Sequence, residues 1–320
     1  MFARKQMNAR FGVPIRTVML AVLIVTLALS VGCDKNPTEQ EDYVPEPVLT
    51  AFIHTGEPVD TIYVEWVGLF HAPYDPAHLG VDNANVVMYP VQNADGSDAD
   101  STGRALYFHQ AGIGGEYAPN NLAFIPETLV RYRMEVHSSE VDLHAETTVP
   151  DTFSWKITQD GNPVSVDPLT NEFQGARGDT LTRMDAPLYF EWTESVGADG
   201  YELGILTDVP RAEAVPIDTT FDMEDQDTID MLKNVALYGY QPAPDYQRAI
   251  TLIGAFFFWQ GRTRVSVVAG SYDYYNYMFT NLVFSSMGAT VNPYSNVIGG
   301  RGIFGATVRR DIYVTIARSF

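Results

Sequence analysis

Apolar residues recur at every second position through most of this chain, in short runs broken by Gly, Pro, Asn and Asp. That periodicity constrains the fold more than any other feature, because successive side chains of a strand point to opposite faces while a helix needs a period near 3.6. Ile62, Val64 and Trp66 fall on one face of a strand, with Thr61, Tyr63 and Glu65 on the other. Val86-Val87-Met88-Tyr89 and Leu106-Tyr107-Phe108 form further short strands. Tyr132, Met134 and Val136 alternate with Arg131, Arg133 and Glu135, and Leu143, Ala145, Thr147 and Val149 repeat the pattern after the Ser138-Ser139-Glu140 turn. Short strands separated by turn residues predict a mainly β chain built of sandwiches, not a helical or βαβ architecture.

Val149-Pro150-Asp151 marks a boundary between an N-terminal β-sandwich domain, 48–150, and a C-terminal domain, 151–320. Residues 151–183 are ambiguous, with turn signals at Asp160-Gly161-Asn162-Pro163. Alternation returns at Leu188, Phe190 and Trp192, then at Tyr201, Leu203 and Ile205. This pair resembles the second and third strands of an immunoglobulin or fibronectin type III sandwich, where a Trp and a Tyr pack into the core. Asp222 to Leu237 reads as a helix, with acids in its first turns and an apolar stripe of Ile229, Leu232, Val235 and Ala236. Ile250 to Trp259 reads as a central buried strand, an exposed partner-binding edge being the alternative. A strand at Arg264 to Ala269 follows. Ser271 then caps a tyrosine-rich helix from Tyr272 to about Val283, and Gly302 to Ile316 closes the chain as a strand or hairpin. The expected fold is two immunoglobulin/fibronectin III-like β-sandwich domains, with one or two short helices inserted in the second.

The single cysteine, Cys33, follows a basic start (Arg4, Lys5, Arg10, Arg16) and the apolar run Val18 to Leu29. About a dozen apolar residues make a signal-peptide core, too short for a permanent span. With Ser30-Val31-Gly32 before the cysteine, the segment resembles a bacterial lipoprotein signal, 1–32, although Ser30 stands where Leu is commoner. Cleavage would leave Cys33 as the lipidated first residue. Its commitment to lipid leaves no disulfide, so the core alone must hold the fold. Asp34 to Pro47 is acidic and punctuated by Pro37, Pro45 and Pro47, so 33–47 reads as a tether reaching roughly 45 Å when extended.

The net charge is −20, and more negative once the basic leader is removed. Such a chain repels phosphate backbones, which makes nucleic acid a poor partner, and it would meet the membrane through its lipid.

Gly300-Arg301-Gly302-Ile303-Phe304-Gly305 matches GxGxxG by letter, but neither a following helix nor a later acid fits the dinucleotide context. Close backbone approach beside a strand is the better reading. The histidines at 54, 71, 78, 109, 137 and 144 form no ligand spacing, though His71, Asp75, His78 and Asp82 share one Pro-containing loop where a transition metal is a minor alternative. No metal site is assigned and no cofactor is expected. Calcium is a minority reading, carried by Asn93 to Asp100 and by the Asp222 to Asp230 cluster. No nucleophile elbow, Walker loop or Cys/His pair is present, and no catalytic residue is assigned.

On the expected helix, Tyr272, Tyr275 and Phe279 share one side, and Tyr274 and Tyr277 another. One side should enter the core. The other offers a partner surface; Tyr274 and Tyr277, with Phe279 from the first side, are the candidates for partner binding.

The ends of the chain carry a family resemblance. The lipoprotein signal, the β-rich body, the YDYYNYM stretch and the closing segment Asn292-Pro293-Tyr294-Ser295-Asn296-Val297-Ile298-Gly299-Gly300-Arg301-Gly302-Ile303-Phe304-Gly305-Ala306 resemble the family catalogued as domain of unknown function 4249. Its members are lipoproteins of Gram-negative bacteria that close on a similar segment. Asn292, Pro293, Ser295, Asn296, Gly299, Gly300, Gly302, Phe304 and Gly305 match that closing motif. The resemblance implies an outer-membrane lipoprotein, lipid-anchored, of a family associated with TonB-dependent outer-membrane transporters. It brings no catalytic residues. The expected function is that of a lipid-anchored cell-envelope binding or accessory protein. A carboxylate-based hydrolase of the envelope and a purely structural envelope lipoprotein are the alternatives.

Overall fold

The computed structural model describes residues 44–68, 76–112, 114–159, 162–166, 173–174, 180–181, 187–207, 234–240, 248–252, 260–286 and 294–316. The first half supplies β1 (Pro47–His54), β2 (Ile62–Trp66), β3 (Asn85–Gln92), β4 (Leu106–Gln110), β5 (Glu116–Pro119), β6 (Arg131–His137) and β7 (Asp142–Thr148). The second supplies β8 (Trp155–Gln159), β9 (Asn162–Val166), β10 (Phe173–Gln174), β11 (Thr180–Leu181), β12 (Pro187–Trp192) and β13 (Gly200–Thr207). After these come β14 (Asn234–Tyr240), β15 (Arg248–Leu252), β16 (Gly261–Gly270) and β17 (Arg301–Ile316). Helix is confined, among the described residues, to one turn at Pro76–Leu79 and a long helix at Tyr272–Ser286. The chain is mainly β, as its period of two requires.

The larger sheet runs β14-β13-β16-β17-β1-β2-β5-β4-β3-β6-β7, with β11 also pairing to β17. The smaller runs β10-β9-β8-β12-β15. Alternation sets the inward faces: along β6, Tyr132, Met134 and Val136 are buried, and along β7 Leu143, Ala145 and Thr147 are buried. Two apolar clusters result. The first takes residues from Leu49 to Val149 together with Val297, Phe304 and Ala306. The second joins Phe153, Ile157, Leu188, Phe190, Trp192, Tyr201, Leu203 and Ile205 to Val265, Val267, Ala269, Val308 and Ile312. Residue 150 therefore falls between the clusters in sequence, yet β17 serves both.

The long last strand does this by changing partners midway. From Arg301 to Thr307 it runs parallel to β1, and from Thr307 to Ile316 it runs antiparallel to β16. Thr307 is the hinge of this exchange, opposite His54 on one side and Gly270 on the other. Its Oγ1 lies 2.6 Å from His54 Nδ1, and its carbonyl accepts from Thr55 N at 2.8 Å.

Ahead of β17, Ile298 and His144 of β7 exchange two backbone hydrogen bonds, at 2.9 and 3.1 Å. The segment 296–301 thus ties β7, at one end of the sheet, back toward β1. This isolated bridge meets the outward N–H and C=O of one residue, His144, on the end strand.

Several local expectations need revision or fall outside the description. Asn234 to Leu237 belongs to β14, not to a helix, because it pairs antiparallel with Leu206 to Leu203 of β13. Here the ladder overrides a local helical stripe. Residues 222–233 lie outside the described residues, as do 1–32, Cys33, most of the tether, and 253–259 of the apolar run. The expected helix near Tyr272 is present and extends to Ser286.

Candidate functional site

Two surfaces bear on function: the base of the long helix with the closing segment, and an outward groove on β3 and β4.

Ser271 caps the helix and does more besides. Its Oγ accepts from Tyr274 N at 3.4 Å and Ala306 N at 3.2 Å, and lies 3.1 Å from Thr147 Oγ1, while Ser271 N donates to Ala306 O at 2.8 Å. One buried hydroxyl therefore joins helix, β7 and β17. The helix then presents its aromatic residues in two ways. Tyr274 packs edge-on to Phe52 at 5.8 Å and donates its hydroxyl to Glu202 Oε2 at 3.1 Å. Tyr277 also meets Phe52, at 6.4 Å. Tyr275 is buried and stacks on Phe279 at 6.1 Å, whereas Phe279 and Tyr272 are about half exposed. Of the three residues expected at a partner surface, Phe279 is thus the exposed one, and Tyr274 and Tyr277 lean on the body of the protein.

Two carboxyl groups lie at the base of this helix, Glu202 beneath Tyr274 and Asp273 in the first turn. Burial pushes Glu202 up from its ordinary range, with the Tyr274 hydrogen bond opposing. Burial likewise pushes Asp273 up, against hydrogen bonds led by Tyr294, whose hydroxyl donates to Asp273 Oδ1 at 2.8 Å. Tyr294 is in turn raised well above a free tyrosine, by burial first and then by Asp273.

The closing motif is structural in its contacts. Asn296 donates from Nδ2 to Glu146 O and Phe304 O, both at 2.9 Å, and accepts at Oδ1 from Phe304 N at 3.0 Å. Ser295 is exposed and its Oγ accepts from Val297 N at 3.3 Å. Gly299 (φ 88°) lies against Asp142 O, Gly300 against Pro47 O, and Gly302 (φ 113°) against Leu49 O, each too close for a Cβ. Gly305 faces Tyr274. Phe304 is wholly buried. The glycine pattern thus serves close strand approach. Asn292 and Pro293 lie outside the described residues.

The groove was not visible as a site in the sequence. It has a volume of about 550 Å³ and is lined by Asn85, Val87, Tyr89, Ser101, Thr102, Gly103, Ala105 and Tyr107. Val87 stands opposite Tyr107 in the β3–β4 ladder, and Tyr89 lies two residues along on the same face. The Tyr107 side of the groove is open, this residue being 54% exposed. Tyr89 is held in place from the neighbouring strand, donating its hydroxyl to Glu135 Oε1 at 2.6 Å. Burial and then that carboxylate push the phenol up.

The loop that forms the other wall is fixed by its own polar groups. Asp100 Oδ1 accepts from Thr102 N at 2.8 Å, and Arg104 N donates to Ser101 O at 3.1 Å. The Arg104 guanidinium bonds Asn93 Oδ1 at 3.2 Å and Glu127 Oε1 at 2.7 Å. Asp95 accepts from Ser97 N at 2.9 Å and Ser97 Oγ at 2.6 Å. These bonds hold Asp95 and Asp100 below the usual carboxylate range. In the Asn93 to Asp100 run, then, Asp95 and Asp100 each turn toward a donor of their own loop. Among the described residues, no group of three His, Cys, Asp or Glu side chains is placed to hold a metal. His71, Asp75 and the Asp222 to Asp230 cluster lie outside the described residues.

The signal that would have revealed the groove was present but weak. Tyr89 and Tyr107 occupy the wet register of strands whose alternate residues, Val86, Met88, Leu106 and Phe108, are buried. A large aromatic on a polar face is common enough to pass unnoticed until two of them are neighbours.

The chain matches no family model and no curated protein. No helix among the described residues is long and apolar enough to cross a membrane.

Proposed function

We propose that this chain is a lipid-anchored cell-envelope protein that works by binding, holding a ligand on its body for an outer-membrane transport system of the TonB-dependent type. The observation that carries the reading is the β3–β4 groove: an outward concavity with two tyrosines, polar neighbours and a wall fixed before any ligand arrives. Fixed walls favour binding because little ordering entropy is lost on association. Anchoring through Cys33 at the outer membrane, and a transporter as partner, come from the lipoprotein-like leader and the resemblance of the closing segment.

The same reading takes the body as two sandwiches of immunoglobulin type. Trp192 and Tyr201 support it for the second half, with rings 5.5 Å apart and the Tyr201 hydroxyl accepting from Ser195 N at 2.8 Å. A tyrosine hydroxyl reaching back to the main chain a few residues upstream is a device of such sandwiches.

The test is in-cell photo-crosslinking from position 107 of the natively processed chain, with a probe at the exposed Leu122 as control. Transporter or ligand captured from 107 and not from 122, and lost with Cys33→Ser, is the expected result. Equal capture from both positions, or none, removes the groove from the function.

A further inference from the structure

We propose that the β3–β4 groove recognises a neutral saccharide, an inference that rests on reading the chain as a binding protein. The lining contains no Asp, Glu, Lys, Arg or His. The charged groups beside it are already engaged, Glu135 by Tyr89, Arg133 by Glu146 and Arg104 by Glu127, and a net charge of −20 works against anions in particular. An extended peptide usually gains its affinity by adding a strand to a sheet edge. Neither β3 nor β4 is an edge: β3 lies between β4 and β6, and β4 between β3 and β5.

The groups that remain match a sugar. Tyr107 and Tyr89 offer apolar ring faces with polar tips, suited to the C–H faces of a pyranose. As diagonal neighbours on one sheet face they stand roughly 7–8 Å apart at the backbone, within the span of adjoining rings. Asn85, Ser101 and Thr102 bring amide and hydroxyl groups to the rim, where ring hydroxyls would bond. Gly103, at φ 75°, turns the wall loop without placing a side chain in the opening.

The test titrates the full-length chain in mild detergent with neutral tetrasaccharides of glucose, xylose, mannose and N-acetylglucosamine, by calorimetry, alongside an acidic uronate tetrasaccharide. At least one neutral probe should bind and the uronate should not. Tyr107→Ala should weaken binding by about tenfold, the scale of one aromatic contact, and Tyr107→Phe should retain it. Ser101→Trp, which fills the groove and leaves the tyrosines in place, should abolish it. The thermal midpoint of each variant must match that of the parent chain. Absence of binding to every neutral probe, or binding unchanged by both Tyr107→Ala and Ser101→Trp, overturns the saccharide assignment. Selective capture of a peptide ligand, as distinct from the transporter itself, from position 107 in cells would also overturn it while leaving the binding reading intact.

Discussion

Asn296 and Phe304 bind each other as two strands would. The side-chain amide of Asn296 accepts from Phe304 N at 3.0 Å and donates to Phe304 O at 2.9 Å, so one side chain supplies both halves of a backbone pair. The same Nδ2 reaches Glu146 O of β7 at 2.9 Å. Phe304 is wholly buried in the first apolar cluster, so the amide fixes where the last strand enters that core.

Replacing Asn296 by Ala should therefore strand two carbonyls and one N–H in a half-buried site. A loss of about 2–4 kcal/mol is expected, the cost of several unmet polar groups. Asn296→Asp keeps an acceptor for Phe304 N but sets negative oxygen against two carbonyls, and should be no better than Ala. Urea unfolding would show a lower midpoint with an unchanged slope. An unaltered midpoint in both variants would refute the role given to this amide.

Gly302 and Gly96 separate two costs of a glycine replacement. Both have positive φ, 113° and 82°, but a Cβ at Gly302 would overlap Leu49 O, whereas at Gly96 it would meet open space. Gly96→Ala should cost about 1 kcal/mol of backbone strain alone. Gly302→Ala must also push β17 from β1, and should cost more than about 3 kcal/mol or prevent folding. Similar melting temperatures for the two variants would show that the β1–β17 approach yields easily.

The strands of the first half were legible because each has one wet and one dry face, and period two survives any tertiary arrangement that keeps a single dry face. The closing motif was legible as a set of residues but not as a device. Its partners, Glu146, Asp142, Pro47 and Leu49, lie far away in sequence, and no local pattern encodes them. The parallel pairing of β1 with β17 escaped for the same reason. The expected helix over Asp222–Leu237 failed where Asn234 to Leu237 found a ladder partner in β13, an interaction that propensity does not see. The groove went unread because alternation explains Tyr89 and Tyr107 as solvated residues equally well.

Sharing of β17 between the clusters predicts that the first half does not fold alone. A fragment 44–150 lacks Val297, Phe304 and Ala306 from its core and the strand that pairs with β1. Its amide spectrum should show little dispersion. Adding a peptide spanning 294–308 should restore order, and a well-folded fragment without that peptide would contradict the shared-strand account.

The last prediction concerns pH. Asp273 sits in the first turn of the long helix and accepts the Tyr294 hydroxyl, and both features favour its carboxylate. Burial outweighs them, so its folded pKa lies above the unfolded value. A carboxyl raised on folding contributes its full stabilisation below the unfolded pKa, about 4, and loses it as pH rises through the folded pKa. Glu202, raised by burial beneath Tyr274, acts in the same direction. Asp273→Asn is neutral at every pH, so its melting temperature relative to the parent chain should climb between pH 4 and pH 7. Adding Glu202→Gln should steepen the climb. A relative stability that instead falls over this interval would mean that the helix dipole and Tyr294 prevail over burial, and that the base of the helix holds a carboxylate in preference to an acid.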